Sequence, residues 1–517
     1  MPSTWLGPDL PGLVKLAVAI ATSLLLLAGM LLRRAGRPDA CRRGRDAALL
    51  VLGVVGGLGW WSFFSLPSWV HSHDAYHYFI GARYFAELDY TRLYACTVVA
   101  DVEAGLGSDL EGRRVRNLET NLIERGSKTA ADPERCKEHF SPERWLRFTA
   151  DVAWFRSRLP ALEWRRLQMD HGFNGSPVWL LAAALLTSAE GGVERWILPL
   201  SLLDPLLLAM MWAFVGRAFG WRAACVAAVF WGTNGFADSV WTGGSFLRQD
   251  WLVALVLAIA CLRQRLPGAA GALATLSMLL RIFPGFAVAV LAIERGLAAL
   301  RTRSLRLSRE TTRFAAGCLL ALGLLLPLAM WSEGPAAWTG FVANSRKHLG
   351  TPLLNQMGLR TVVAYDSASR ASVLENLQAA DPYLSWKLAQ RRHFEQRWWI
   401  YGGLAAIYAA LLVRAIRGED AWVVLALGTG AIPIATQLTC YYHAALVGLA
   451  LLWVRREAAG VALCLLAAAS QAILRALSVS DEAFVWMSLV EVLAIFFVTA
   501  LFAGQRPARE IPAPGSG

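Results

Sequence analysis

No Gly-x-Gly-x-x-Gly turn follows a strand-like run anywhere in the sequence, so nothing supports a nucleotide-sugar or dinucleotide domain. Period-2 alternation does not recur, which argues against a transmembrane β-barrel. Charge is scarce, at 17% of 517 residues. The segment before the first apolar run has no positive n-region, and no small-residue cleavage pattern follows that run, so a cleaved signal peptide is not expected. The paired half-repeats of Gly/Pro-broken spans that mark transporters are also absent.

What is abundant is apolar. Hydrophobic residues make up 56% of the chain, with 22 tryptophans, far above the soluble-domain norm. The apolar runs approach the roughly 20 residues that a helix needs to cross a bilayer. The expected fold is all-α: a polytopic membrane helical bundle of about 12–14 spans with two sizeable outer loops. The first run, Leu13 to Leu32, is followed by six arginines between Arg33 and Arg45, and arginine beside a span marks the cytoplasm. The amino end is therefore expected outside. The second run, Ala47 to Leu66, carries Gly53 and Gly57 in a GxxxG, a helix-packing face.

Four units follow: an extra amino-terminal span and basic loop (1–46), a membrane module (47–331) that includes a polar outer segment from Pro67 to Gly175, a second outer loop (332–397), and carboxy-terminal helices with a short tail (398–517). Arginine groups at 295–313, at Arg414 and Arg417, at Arg455 and Arg456, and at Arg506 and Arg509 can all be cytoplasmic together. Arg217 and Arg222 break strict alternation unless 176–190 is re-entrant. Positive-inside bias then explains the +12 net charge without a nucleic-acid partner. Of eight cysteines only Cys96 and Cys136 fall in the outer segment, where an oxidising exterior favours a disulfide between them.

The stretch "HDAYHYFIGARYFAEL", then "GFNGSPVWLLAAALL", then "GGSFLRQDWLVALVLAIACLRQRLPGAAGALATLSMLLRIFPGF" resembles the polyprenyl-phosphate-sugar-dependent glycosyltransferases of the GT-C fold, and within them glycosyltransferase family 87, the DUF2029-type mannosyltransferases. The resemblance covers roughly residues 47–300. The family pattern has a double proline, a Gly-Gln turn and a lysine where this chain has Ser176-Pro177, Gly243-Gly244 with Gln249 displaced, and Arg281 with Pro284. The amino-terminal span and the Thr97–Pro160 insertion are further departures. The resemblance implies an enzyme of the bacterial inner membrane, a hexosyltransferase whose active site faces the periplasm, with an aspartate in the first outer loop.

Chemistry gives Asp74 its role: an acceptor hydroxyl that attacks the anomeric carbon of a lipid-phosphate sugar must lose its proton to a nearby carboxylate. The departing phosphate needs cations, and the candidates are Arg83, Arg248, Arg281, Arg346, Lys347 and His348. If residues 73–85 are helical, Asp74, His77, Tyr78 and Gly81 share one face. The alternative is that Asp74 merely caps that helix while its aromatics anchor it at the headgroups. His73 and His77, at i and i+4, either hydrogen-bond donor or acceptor, or grip a divalent metal with His71 and Asp74 nearby, or are passive. No cofactor is otherwise expected. The mixture of Asn344, Arg346, Lys347, His348, Asn355 and Gln356 suits either a lid over a sugar phosphate or an ordinary solvated loop. Arg391–Trp399 reads as an interface anchor. Arg281 and Glu491 are charges within apolar stretches, and only Arg281 is given a role.

The expected partners are a polyprenyl-phosphate sugar donor, a glycan or lipid acceptor, and membrane lipid. A flippase for lipid-linked sugars and a ligase or polymerase of lipid-linked glycans are the competing functions.

Overall fold

The computed structural model describes residues 10–64, 69–303 and 308–504; Pro67, Arg306, Arg506 and Arg509 lie outside them. The chain is 74% helical. Its strands among the described residues form two short antiparallel ladders, Arg114–Arg116 with Ile123–Arg125 and Gln356–Met357 with Leu438–Thr439. Among the described residues six helices are long and apolar enough to cross a membrane: Leu10–Arg34, Val193–Phe219, Arg309–Leu349, Leu384–Ala415, Glu457–Leu477 and Asp481–Ala503. The molecule is a multi-pass helical membrane protein.

Other expected spans are helical but short. Trp221–Thr233 has 13 residues, and Asp250–Arg263 and Pro267–Leu280 have 14 each; at 1.5 Å per residue they reach roughly 20 Å, less than the roughly 30 Å hydrocarbon core. Burial within the bundle explains their composition: Trp251 to Leu262 are all buried. Close approach depends on glycine. A Cβ on Gly53 would lie 2.5 Å from the Cys225 Cβ, and one on Gly56 would lie 2.8 Å from the Val229 Cα, whereas Gly57 has only Ala228 at 3.9 Å. The packing stripe is thus Gly53/Gly56, not the expected Gly53/Gly57.

Contacts sort the loops into two faces. Arg222 pairs with Asp46 at 2.6 Å, Gln264 donates to the Arg217 carbonyl, Arg33 pairs with Glu457, and Arg455 pairs with Asp420. The basic segments at 33–46, 217–222 and 455–457 therefore share one face. On the opposite face Asn121 donates to Thr351 Oγ1 at 2.6 Å, so the two outer segments meet. The 11-residue helix Pro177–Thr187 begins and ends on that second face, since the Arg83 guanidinium reaches the carbonyls of Ala189 and Gly191 just beyond it. It is re-entrant.

The second outer segment is not a loop throughout. The Arg309–Leu349 helix breaks at Gly334 (φ 76°, ψ 168°), immediately before Pro335, and resumes to Leu349. Residues 341–349 are its last turns rather than part of a loop. The Arg391–Trp399 stretch lies within the Leu384–Ala415 helix, which begins 14 residues before the expected start at 398. In the outer unit Cys96 and Cys136 are disulfide-bonded with Cα atoms 5.4 Å apart.

Candidate functional site

A cavity of about 1100 Å³ lies where the outer unit meets the bundle. One wall is the helix Ser72–Arg83. His71 caps it: its Nδ1 accepts the Asp74 N–H at 3.0 Å, while Nε2 lies 2.9 Å from the Val240 carbonyl and must carry the hydrogen. Asp74 is therefore not the cap, and its carboxylate faces other partners. The cap ties the helix to the 238–250 loop, where the His71 N–H donates to the Gly244 carbonyl. Gly244 has φ +77°, and a Cβ there would lie 1.9 Å from the Trp69 carbonyl oxygen; only glycine fits both conditions.

That close approach sets Arg248. Its backbone N–H and that of Gln249 donate to the buried Asp204 carboxylate, which holds the turn before the Asp250–Arg263 helix. The Arg248 guanidinium then lies 3.9 Å from the Tyr78 ring centroid, and its Nε donates to Asp74 Oδ2 at 2.8 Å. Among the described residues Asp74 Oδ1 has no hydrogen-bond donor, and Arg248 Nη1 is buried without an acceptor. Both residues line the cavity.

Behind Tyr78 stands Arg281, which donates to the Tyr78 hydroxyl and to the Asn174 carbonyl, both at 3.3 Å. Tyr78 in turn donates to Asn174 Oδ1. Arg281 is absent from the cavity wall and is separated from it by Tyr78 and Asn174, which line it. The other expected cations part company. His348 lines the cavity with a buried, unpartnered Nε2. Lys347 donates to the Leu118 carbonyl, and Arg346 is exposed; neither borders the cavity. Arg83 is buried against Asp151 at 3.3 Å, away from the cavity. Its expected substrate contact is corrected to a structural one: the helix that carries it turns its carboxyl end into the outer unit.

His73 and His77 also line the cavity, and the acid that joins them is Asp170, 3.3 Å from His73 Nε2. Asp170 is 48% exposed, but to the cavity. Burial opposes a charge on His73, yet the Asp170 hydrogen bond and carboxylate outweigh it and hold the imidazole above its ordinary pKa. Burial pushes His77 down to about 4. His77 Nδ1 donates to the His73 carbonyl at 2.9 Å, which leaves Nε2 to accept the Tyr94 hydroxyl at 2.6 Å. His73, His77 and Asp170 each offer one donor atom within 4.8 Å of the others. His71 has both ring nitrogens engaged, and Asp74 does not belong to this group.

Asp170, Asp204 and Tyr94 escaped sequence reasoning. Asp204 carried a usable signal, a charge within the apolar run "SLLDPLLL". Asp170 and Tyr94 had none, because they approach the histidines only through folding. The cavity is also lined by Leu349, Pro352, Leu353, Leu354 and Leu438, interleaved with Asn355, Gln356, Gln437 and Thr439. Comparison with protein-family models, with curated proteins and with solved structures finds no match.

Proposed function

We propose that this protein is a membrane glycosyltransferase that moves a sugar from a polyprenyl-phosphate donor to an acceptor hydroxyl on the outer face of the membrane. The observation that carries the reading is the Asp74 carboxylate: one oxygen is held by Arg248 and the other is open to a cavity with room for a sugar phosphate. In the reaction the acceptor oxygen bonds to the anomeric carbon and its proton passes to Asp74 Oδ1. The bond from that carbon to the phosphate oxygen breaks, and polyprenyl phosphate leaves with the electron pair. Arg248 Nη1, which has no partner, meets the charge that develops on the phosphate. The leucines and proline at 349–354 suit the first isoprene units, and no nucleotide pocket is needed because the sugar arrives on a lipid.

The test is reconstitution of the full chain in liposomes with a polyprenyl-phosphate hexose and a short-chain glycoside acceptor. Transfer is expected, and Asp74→Asn should reduce it by roughly 10²–10⁴-fold while the protein is retained in the membrane. Movement of the donor between leaflets without transfer would favour a flippase and overturn the reading. So would an Asp74→Asn chain with unchanged turnover.

A further inference from the structure

The cluster that His73 and His77 of the Ser72–Arg83 helix form with Asp170 has no part in the transfer step, yet its chemistry is specific. We infer that His73, His77 and Asp170 bind a divalent cation of the zinc class. Two imidazoles and one carboxylate are a donor set that borderline first-row ions take, and one donor atom from each residue lies within 4.8 Å of the others.

The spacing also fits an ion. His73 Nε2 and Asp170 Oδ2 are 3.3 Å apart, longer than the about 2.7–2.9 Å of a charge-assisted hydrogen bond. Two ligands each about 2.0–2.1 Å from a tetrahedral zinc stand roughly 3.3–3.4 Å apart. The supporting bonds fit as well. His77 Nδ1–H donates to the His73 carbonyl, which fixes the tautomer whose Nε2 lone pair a metal takes. The His171 N–H donates to Asp170 Oδ1 at 2.8 Å, leaving Oδ2 as the ligand atom. Arg116 Nε donates to the Asp170 carbonyl at 2.9 Å and fixes the loop.

Three ligands leave a fourth position, and all three residues border the cavity, so the site is of the open kind that accepts water or a ligand oxygen. The group a metal displaces is identifiable: the Tyr94 hydroxyl, which now donates to His77 Nε2 and is itself held by the Gly172 N–H at 3.0 Å. Service to a donor phosphate would rest on the transferase reading; binding of the ion does not.

The full chain, purified in detergent through a tag free of histidine and stripped with a chelator, is titrated with Zn²⁺ alone and, separately, with Co²⁺. One ion per chain is expected. His73→Ala, His77→Ala and Asp170→Asn should each weaken binding by more than the roughly 10–100-fold that loss of an outer-shell partner costs. Tyr94→Phe, which removes the competing hydroxyl, should bind at least as tightly as the unmodified chain. The Co²⁺ form of the unmodified chain should show the visible bands of a low-coordinate nitrogen and oxygen site, a readout that needs no variant. Absence of stoichiometric binding, or binding that His77→Ala leaves unchanged, overturns the inference, and neither outcome depends on transferase activity.

Discussion

Arg248 Nε stands 2.8 Å from Asp74 Oδ2, although the two residues are 174 positions apart. The pair is made by backbone devices on both sides: the His71 cap orients the first turn of the Ser72–Arg83 helix, and Asp204 holds the amides of Arg248 and Gln249. A lysine at 248 keeps the charge but loses the planar group that stacks on Tyr78 at 3.9 Å while donating sideways to Asp74. Arg248→Lys is therefore expected to retain the fold and lower transfer by at least about tenfold. Initial rates at saturating and limiting donor check this, and equal rates for the two proteins would show that a point charge suffices.

The Cys96–Cys136 bond closes a 40-residue loop onto the helix Leu93–Glu103. In the loop-closure account such a cross-link stabilises by about 4 kcal/mol. The double Cys96→Ser, Cys136→Ser chain should melt lower than the unmodified one in the same detergent, and dithiothreitol should reproduce the shift. Both thiols titrating free in the purified chain would contradict the pairing.

Much of this architecture was legible in the sequence, and the reason is physical. Apolar runs and arginine placement act through composition alone, so the helices at 195–215, 221–234, 250–264 and 459–476 and the shared face of the basic groups could be read from the chain. Length against burial could not be separated that way. A buried 14-residue helix and a membrane span are equally apolar, and only packing distinguishes Asp250–Arg263 from Glu457–Leu477. At the site, Asp74, His73, His77, Tyr78, Arg248 and His348 line one cavity. Arg83, Arg281, Arg346 and Lys347 do not, because a residue's charge says nothing of which way its side chain faces. The Asp170 link to His73 spans 97 positions, and no local pattern encodes it.

The two outer segments touch through Asn121 and Thr351, and this fixes their relative sidedness. Thr120 and Gly350 are both exposed beside that contact. Single cysteines at the two positions, placed in a chain lacking Cys41, should react with an impermeant maleimide from the same side of intact cells. Labelling of one position from outside and the other only after lysis would break the fold as described.

Arg83 offers a final test, because a buried structural cation and a phosphate-binding cation fail differently. Its guanidinium is 1% exposed, and its partner Asp151, 3% exposed, also accepts from Tyr84 at 2.8 Å and from the Val193 N–H at 3.2 Å. Burial raises the Asp151 pKa, against the downward pull of Arg83. Removing Arg83 leaves a buried carboxylate without its cation, a change that costs about 3–5 kcal/mol, and raises that pKa further. The sign follows from linkage: a carboxyl whose folded pKa exceeds its unfolded value favours the folded state at low pH, and that contribution is lost as pH rises through the folded pKa. Arg83→Met should therefore melt well below the unmodified protein near neutral pH, and the gap should narrow as the pH is lowered toward the Asp151 pKa. If Arg83 instead bound the donor, the variant would melt normally at every pH and show a raised KM alone. A melting series in one detergent across pH, paired with donor KM for both proteins, separates the two outcomes.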